Sequence, residues 1–402
     1  MATSQTADNW ILKVTLLLAS TLTVMSGATI APSLPAMQAH FSDVANAEFW
    51  VRLVLTVPAL FIVMGSPVAG QLVDSVGRKP LLIGSAVLYG MAGASGLGLN
   101  SLFAILAGRA LLGLAVAGVM VSATTLIADY FSGDQRANFM GLQAAFMGFG
   151  GVLFLTVGGF VADLNWRLPF LIYLFAWLLL PTMGLTLYEP QRDRLGAQGT
   201  GDRASVSQLP VKLLVLIYGS ALLMQIIFYL IPVQMPFYLQ QLTGANASRS
   251  GLAIAFSTLF SALASMNYGR IKRQFSHISI LAIALGLMGL GYMGIGLVSN
   301  YWLILLVLIP AGCGLGLLMP NLSVWTATEV ADSLRGRALG GLTTFFFLGQ
   351  FLSPIVSQPV SQAVGLTATY GLAGVVLAVL SAIIWTSRQR ICRLVQSAAG
   401  QA

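Results

Sequence analysis

Three charges crowd the stretch GQLVDSVGRKP, Gly70–Pro80: Asp74, Arg78 and Lys79. They follow 21 uncharged residues, Leu53–Val73, in a chain of 402 residues of which 8% are charged. One acid and two bases at this spacing can pair ions or hold a helix end, but they form no nucleophile–base relay. A fourth charge, Arg109, lies inside an apolar run, roughly 12 Å along a helix from the nearest turn signal. A guanidinium at bilayer depth costs about 2.5–3.5 kcal/mol on insertion scales, so it demands either a route to the interface or a use. Other chemistry-bearing residues are sparse. His40 and His277 lie far apart, Cys313 and Cys392 suggest neither a disulfide framework nor a metal cage, and no phosphate-cradling lysine loop is present. No metal, cofactor or enzymatic centre is expected.

The elements that must position these charges follow from composition. With 57% apolar residues and a mean hydropathy of +0.86, the chain has too little polar surface for a soluble protein of this length. Turn signals and charges divide it into twelve apolar pieces, near 11–34, 50–73, 80–98, 102–127, 137–162, 167–188, 211–240, 249–268, 278–298, 301–326, 338–361 and 366–386. Two long uncharged runs, 278–328 and 338–387, must each fold back, because a helix of that length would be roughly 75 Å long, over twice a bilayer. The turns fall at VSNYW, 298–302, and SQAVGL, 361–366. The fold class is therefore an all-α polytopic membrane protein. The first 30 residues, with one Lys and no small-residue cleavage pattern, are expected to form a retained span.

Charge sets the sides. Of 20 Lys and Arg, 16 fall in loops on the side of the termini, only Arg52, Arg167 and Arg249 fall opposite, and Arg109 stays in the membrane. That asymmetry predicts cytoplasmic termini and a plasma (inner) membrane location. Anionic inner-leaflet lipid accounts for the net charge of +8, so no nucleic-acid partner is expected. The one long polar connection, within 189–212, reads as a linker. Four parts follow: a bundle 1–188, a linker 189–210, a bundle 211–388 and a tail 389–402. A shift of 199 residues lays Gly70 on Gly269, Gly113 on Gly312, Arg136 on Arg335, Gly141 on Gly340 and Gly150 on Gly349, the mark of a duplicated six-span unit.

At this point the residues resemble a known family. GQLVDSVGRKP is similar to the major facilitator superfamily signature G-x-L-x-D-x-x-G-R-[KR] between the second and third spans. RALLG, 109–113, is similar to its fourth-span pattern R-x-x-x-G. SGATIAPSLPAMQAHF, NWRLPF and MPFYLQQLTG resemble the twelve-helix drug–proton antiporter branch. GFGGVLFLTVGG, 148–159, keeps Gly148, Gly151, Gly158 and Gly159 but has Phe154-Leu155 where that branch carries Gly-Pro, a departure that bears on the direction of transport.

The resemblance implies two six-helix bundles that exchange access to a central cavity, and proton-coupled efflux of small lipophilic or amphipathic molecules by a monomer. It implies a latch formed by Gly70, Asp74, Gly77, Arg78, Lys79, Asp129 and Arg136, with Arg78 paired to Asp129. Asp74 sits at the C-terminal end of its helix, where the dipole disfavours an anion, so its partner is expected elsewhere, at the start of the eleventh span near Arg335–Gly340. Arg109, with Gly113, is expected to face a wet cavity and to steer protonation or contact substrate. No Asp or Glu lies deep in a span, so proton coupling rests on the resemblance alone. Residues at one-turn spacing give the candidate lining: Met25, Gln143, Phe146, Phe149, Gln225, Tyr229, Asn321, Trp325, Phe346 and Gln350. Packing between helices explains the same pattern, and Gly148, Gly151, Gly158 and Gly159 point to close helix contact. The alternatives are an exporter of a sugar or other metabolite and, from another class, a membrane-embedded enzyme.

Overall fold

The computed structural model describes residues 9–190 and 211–399. Among these, every regular element is helical. The helices are α1 (Trp10–Ala28), α2 (Leu34–His40), α3 (Ala47–Ser75), α4 (Arg78–Ala94), α5 (Leu102–Tyr130), α6 (Gly133–Leu164), α7 (Phe175–Leu178), α8 (Leu180–Thr186), α9 (Val211–Phe228), α10 (Leu230–Thr243), α11 (Ala247–Lys272), α12 (His277–Leu297), α13 (Tyr301–Glu329) and α14 (Asp332–Ala399). Most of the expected linker, 191–210, lies outside the described residues, as do 400–402 of the tail.

Among the described residues, eleven continuous helical stretches are long and apolar enough to cross a membrane. The last, Leu334–Arg388, is 55 residues long and contains a non-helical residue, Gly365, at φ 82° and ψ 161°. That break falls inside the expected turn SQAVGL, and cutting the helix there gives twelve pieces. The other expected turn, VSNYW, is also present: α12 ends at Leu297, and Asn300 opens α13 by accepting the Trp302 N–H at 2.8 Å. The boundaries move by a few residues, the first span running on to His40 and the fifth from Gly133 to Leu164.

The chain divides into two compact units, Met1–Gln191 with Ile231–Ala255, and Arg192–Leu230 with Phe256–Ala402. In the first, α5 packs along α3 and α4, and α6 along α1. In the second, α14 packs along α12 and α9, and α13 along α12. Small residues make these seams because lipid offers no hydrophobic reward for helix association, so contact area must come from close approach. The third and sixth membrane segments of each half also carry a tyrosine pair. Tyr89 and Tyr173 have ring centroids 5.8 Å apart, and Tyr292 and Tyr370 have theirs 5.9 Å apart. Their hydroxyls donate to carbonyls near the break in the half's first helix: Leu22 and Ser26 in one, Ile227, Phe228 and Leu230 in the other.

Candidate functional site

The first candidate cluster builds on the turn between α3 and α4. Gly77 adopts φ 112°, a conformation reserved for glycine. A Cβ there would also stand 2.8 Å from the Glu189 carboxylate. Glu189 accepts the N–H groups of Arg78 and Lys79, each at 2.8 Å, and so caps α4 from 110 residues away with charge of the favourable sign. Lys79 returns the favour at the end of the sixth segment, where its Nζ donates to the Gly184 and Leu187 carbonyls, each at 2.7 Å. Arg78 Nε lies 3.0 Å from Asp129 Oδ2, an ion pair rather than a well-directed hydrogen bond. Stacked Tyr130 and Tyr188, centroids 4.4 Å apart, close the cluster.

Arg136 and Gly70 are two further members of the expected latch. Arg136 donates to the Ala128 and Phe131 carbonyls and fixes the α5–α6 turn. Gly70 is not imposed by packing, since a Cβ there would meet nothing within 4 Å. Asp74 is exposed and, among the described residues of its own unit, has no hydrogen-bond or ion-pair partner.

Arg109 is the main correction. Instead of facing a wetted wall, it is 1% exposed and lies inside the first unit. Its Nε donates to the Val54 carbonyl at 2.9 Å, Nη1 to the Tyr173 hydroxyl at 2.8 Å, and Nη2 to the Ser26 carbonyl. Both carbonyls are orphans of helix geometry. Val54 stands four residues before Pro58, which has no N–H to give it. Ser26 lies in the last turn of α1, where no following turn supplies a donor. The guanidinium therefore ties α1, α3 and the sixth segment to α5 through a planar fork that a point charge cannot match.

The remaining candidates are divided between the two units. Met25 is buried, and Gln143 spends its amide N–H on the Ser20 hydroxyl at 2.8 Å. Phe146 is half-buried and Phe149 is 48% exposed. Asn321 and Trp325 do meet, around a residue the spacing did not single out. Asn321 Nδ2 donates to the His277 carbonyl at 2.9 Å, its Oδ1 lies 3.1 Å from His277 Nδ1, and Tyr268 donates to the same oxygen at 3.3 Å. Trp325 stacks on the His277 ring at 5.7 Å and 3°. These two positions are thus committed to protein partners. Gln225 differs, being 1% exposed with its Oε1 unpaired. Gln350 is buried, and Tyr229 and Phe346 are half-buried, Phe346 edge-on to Phe347. Among the α6 glycines, Gly158 and Gly159 face backbone, a Cβ at Gly158 falling 2.3 Å from the Thr29 carbonyl. Gly151 is buried and Gly148 half-buried.

Residues that spacing missed include Glu189, the tyrosine pairs and Asp163, whose carboxylate accepts three hydrogen bonds at the start of α11. Among the described residues no group of three or more His, Cys, Asp or Glu could hold a metal ion.

Comparison with known proteins adds identity to this geometry. A sequence profile described as Major Facilitator Superfamily matches residues 16–242 and 216–401. The chain is 22% identical to the quinolone resistance protein NorA of Staphylococcus aureus (strain COL) over 362 residues, covering 86% of this chain and 91% of that one. It is 24% identical to the class E tetracycline resistance protein of Escherichia coli, covering 83% and 84%. Among solved structures, a D-xylose–proton symporter superposes with a TM-score of 0.78 at 16% identity, over 94% of this chain and 97% of the other. A bacterial homologue of the human lysosomal transporter Spinster, inward-facing and unoccupied, gives 0.78 at 16% identity, over 93% and 95%.

Proposed function

The chain belongs to the major facilitator superfamily, and on that premise we propose that it exports small lipophilic or amphipathic compounds by alternating access, in exchange for protons. It is a multi-pass membrane transporter and not an enzyme. Similarity along most of the chain to resistance proteins named for two unlike drugs carries the multidrug reading. The amides support it too. Asn321 and Gln143 are occupied by protein partners, which leaves few fixed hydrogen-bonding groups for a sugar. Sugar or metabolite export is therefore the second choice. In the proposed topology both termini are cytoplasmic, 1–188 and 211–388 are the moving halves, and the chain acts as a monomer.

On this reading the Gly77 end faces the cytoplasm, and Asp74 is a latch that engages the N-terminal end of the eleventh span, near Arg335–Gly340, when the cavity opens outward. The anion is placed against its own helix dipole, so it gains only from a partner elsewhere. Asp74→Asn should insert at the normal level and pump a permanently charged lipophilic dye about tenfold more slowly, measured as efflux per inserted protein in cells. Efflux at the parent rate would remove Asp74 from the mechanism.

A further inference from the structure

Asp163 lies in the last turn of α6, where its own helix dipole disfavours a negative charge. What it gains comes from residues 84 positions on. Oδ1 accepts the N–H of Ala247 at 2.8 Å and of Ser248 at 3.3 Å, and Oδ2 accepts Asn246 Nδ2 at 2.9 Å. The start of α11 thus has two caps. Asn246 Oδ1 serves the third N–H, of Arg249, at 3.2 Å, and Asp163 serves the first two. Below the carboxylate the two helices touch backbone to backbone: a Cβ at Gly159 would lie 2.9 Å from the Ala247 carbonyl, and one at Gly251 2.6 Å from that of Leu155.

A second tie holds the same stretch. Arg52 Nε donates to Gln234 at 2.8 Å, and its guanidinium carbon lies 4.0 Å from the centroid of the Phe237 ring. The stretch so held is Ile231–Ala255, which belongs to the first unit although the chain on either side belongs to the second. Its first boundary coincides with the break at Tyr229 between α9 and α10.

We infer that Asp163 is a positioning residue of the transport cycle, a detachable clasp that keeps 231–255 on the N-terminal bundle in one state and releases it in the other. The inference rests on the alternating-access reading. Release is cheap because Asp163 is exposed, so water can replace its partners, and because Asn246 keeps α11 capped when the clasp opens.

The test uses the full chain with Cys313→Ser and Cys392→Ser and one reporter, Ser250→Cys, at a position 2% exposed in this structure. Labelling by a membrane-impermeant maleimide reads the clasp without reference to cargo. Asp163→Asn brings an amide nitrogen towards Asn246 Nδ2, donor against donor, and should raise the labelling rate about fivefold. Asp163→Glu, which restores the charge, should return most of the protection. Unchanged labelling in Asp163→Asn overturns the clasp. Raised labelling with no cargo moved by the parent chain supports the clasp and sinks the transport reading instead. Should Asp163→Asn fail to insert, Asp163→Cys with Asn246→Cys, bridged by a short bis-methanethiosulfonate reagent that releases methanesulfinate as each disulfide forms and is cleaved by a reducing thiol, gives the second arm. Bridging should stop transport and cleavage of the bridge should restore it; transport at the full rate while bridged overturns the clasp.

Discussion

Arg109→Lys should insert normally and transport about tenfold more slowly or worse, because an ammonium cannot serve three acceptors arranged for a planar fork. The guanidinium serves the Val54 carbonyl, the Ser26 carbonyl and the Tyr173 hydroxyl together. The Ser26 carbonyl keeps the Tyr173 hydroxyl as a donor, so the loss falls on Val54: its carbonyl left unpaired in a buried site costs about 1–3 kcal/mol, and 1.4 kcal/mol of it is enough for a tenfold effect. The origin of one orphan makes the expectation sharper. Val54 lacks an intrahelical donor because residue 58 is proline. Pro58→Ala supplies that N–H, so the double variant Pro58→Ala, Arg109→Lys should recover part of what Arg109→Lys loses. Transport rate per inserted protein, measured for both single variants and the pair, gives the coupling directly. Strict additivity would mean that Arg109 does not act through the Val54 carbonyl.

Gly113→Ala should be strongly damaging through packing alone, with no backbone strain of its own. Its Cβ would stand 2.4 Å from the Pro58 carbonyl oxygen, 2.8 Å from Phe61 Cβ and 2.9 Å from Pro58 Cα, so backbone would have to move. Overpacking of this kind costs about 1–3 kcal/mol and pries α3 from α5, the seam on which the Arg109 fork depends. Gly70→Ala is the internal control, because open space surrounds that position. Thermal unfolding in detergent should show a clear loss for Gly113→Ala and a change within about 0.5 kcal/mol for Gly70→Ala. Equal stability of the two would contradict the packing described for α3 and α5.

These cases also show what could be read from the chain. Uncharged runs and turn residues located the membrane segments, since hydrocarbon forbids unpaired backbone and leaves helices as the only open choice. The depth of Arg109 was legible, and so was one of its partners in principle: a proline inside an apolar helix always frees the carbonyl four residues before it. Its full surroundings were not legible, because Tyr173 and Ser26 come from distant segments. The tyrosine pairs escaped the ungapped 199-residue shift, which sets Tyr89 on Met288 rather than on Tyr292. Four-residue spacing correctly grouped Asn321 with Trp325 on one face, yet spacing cannot say what that face meets, and it meets His277. Glu189 and Asp163 look like ordinary edge acids in the sequence. Their roles come from helix ends contributed by residues 110 and 84 positions away.

The central claim is best tested with purified protein in sealed liposomes, without ATP, under an imposed pH gradient. The cargo should be a permanently charged lipophilic cation, which acid trapping alone cannot concentrate. With an acidic lumen, the account predicts accumulation of the cation above protein-free liposomes, collapse of that accumulation when a protonophore is added, and a large reduction with Arg109→Lys. Uptake no greater than in protein-free liposomes, with or without the gradient, would contradict it.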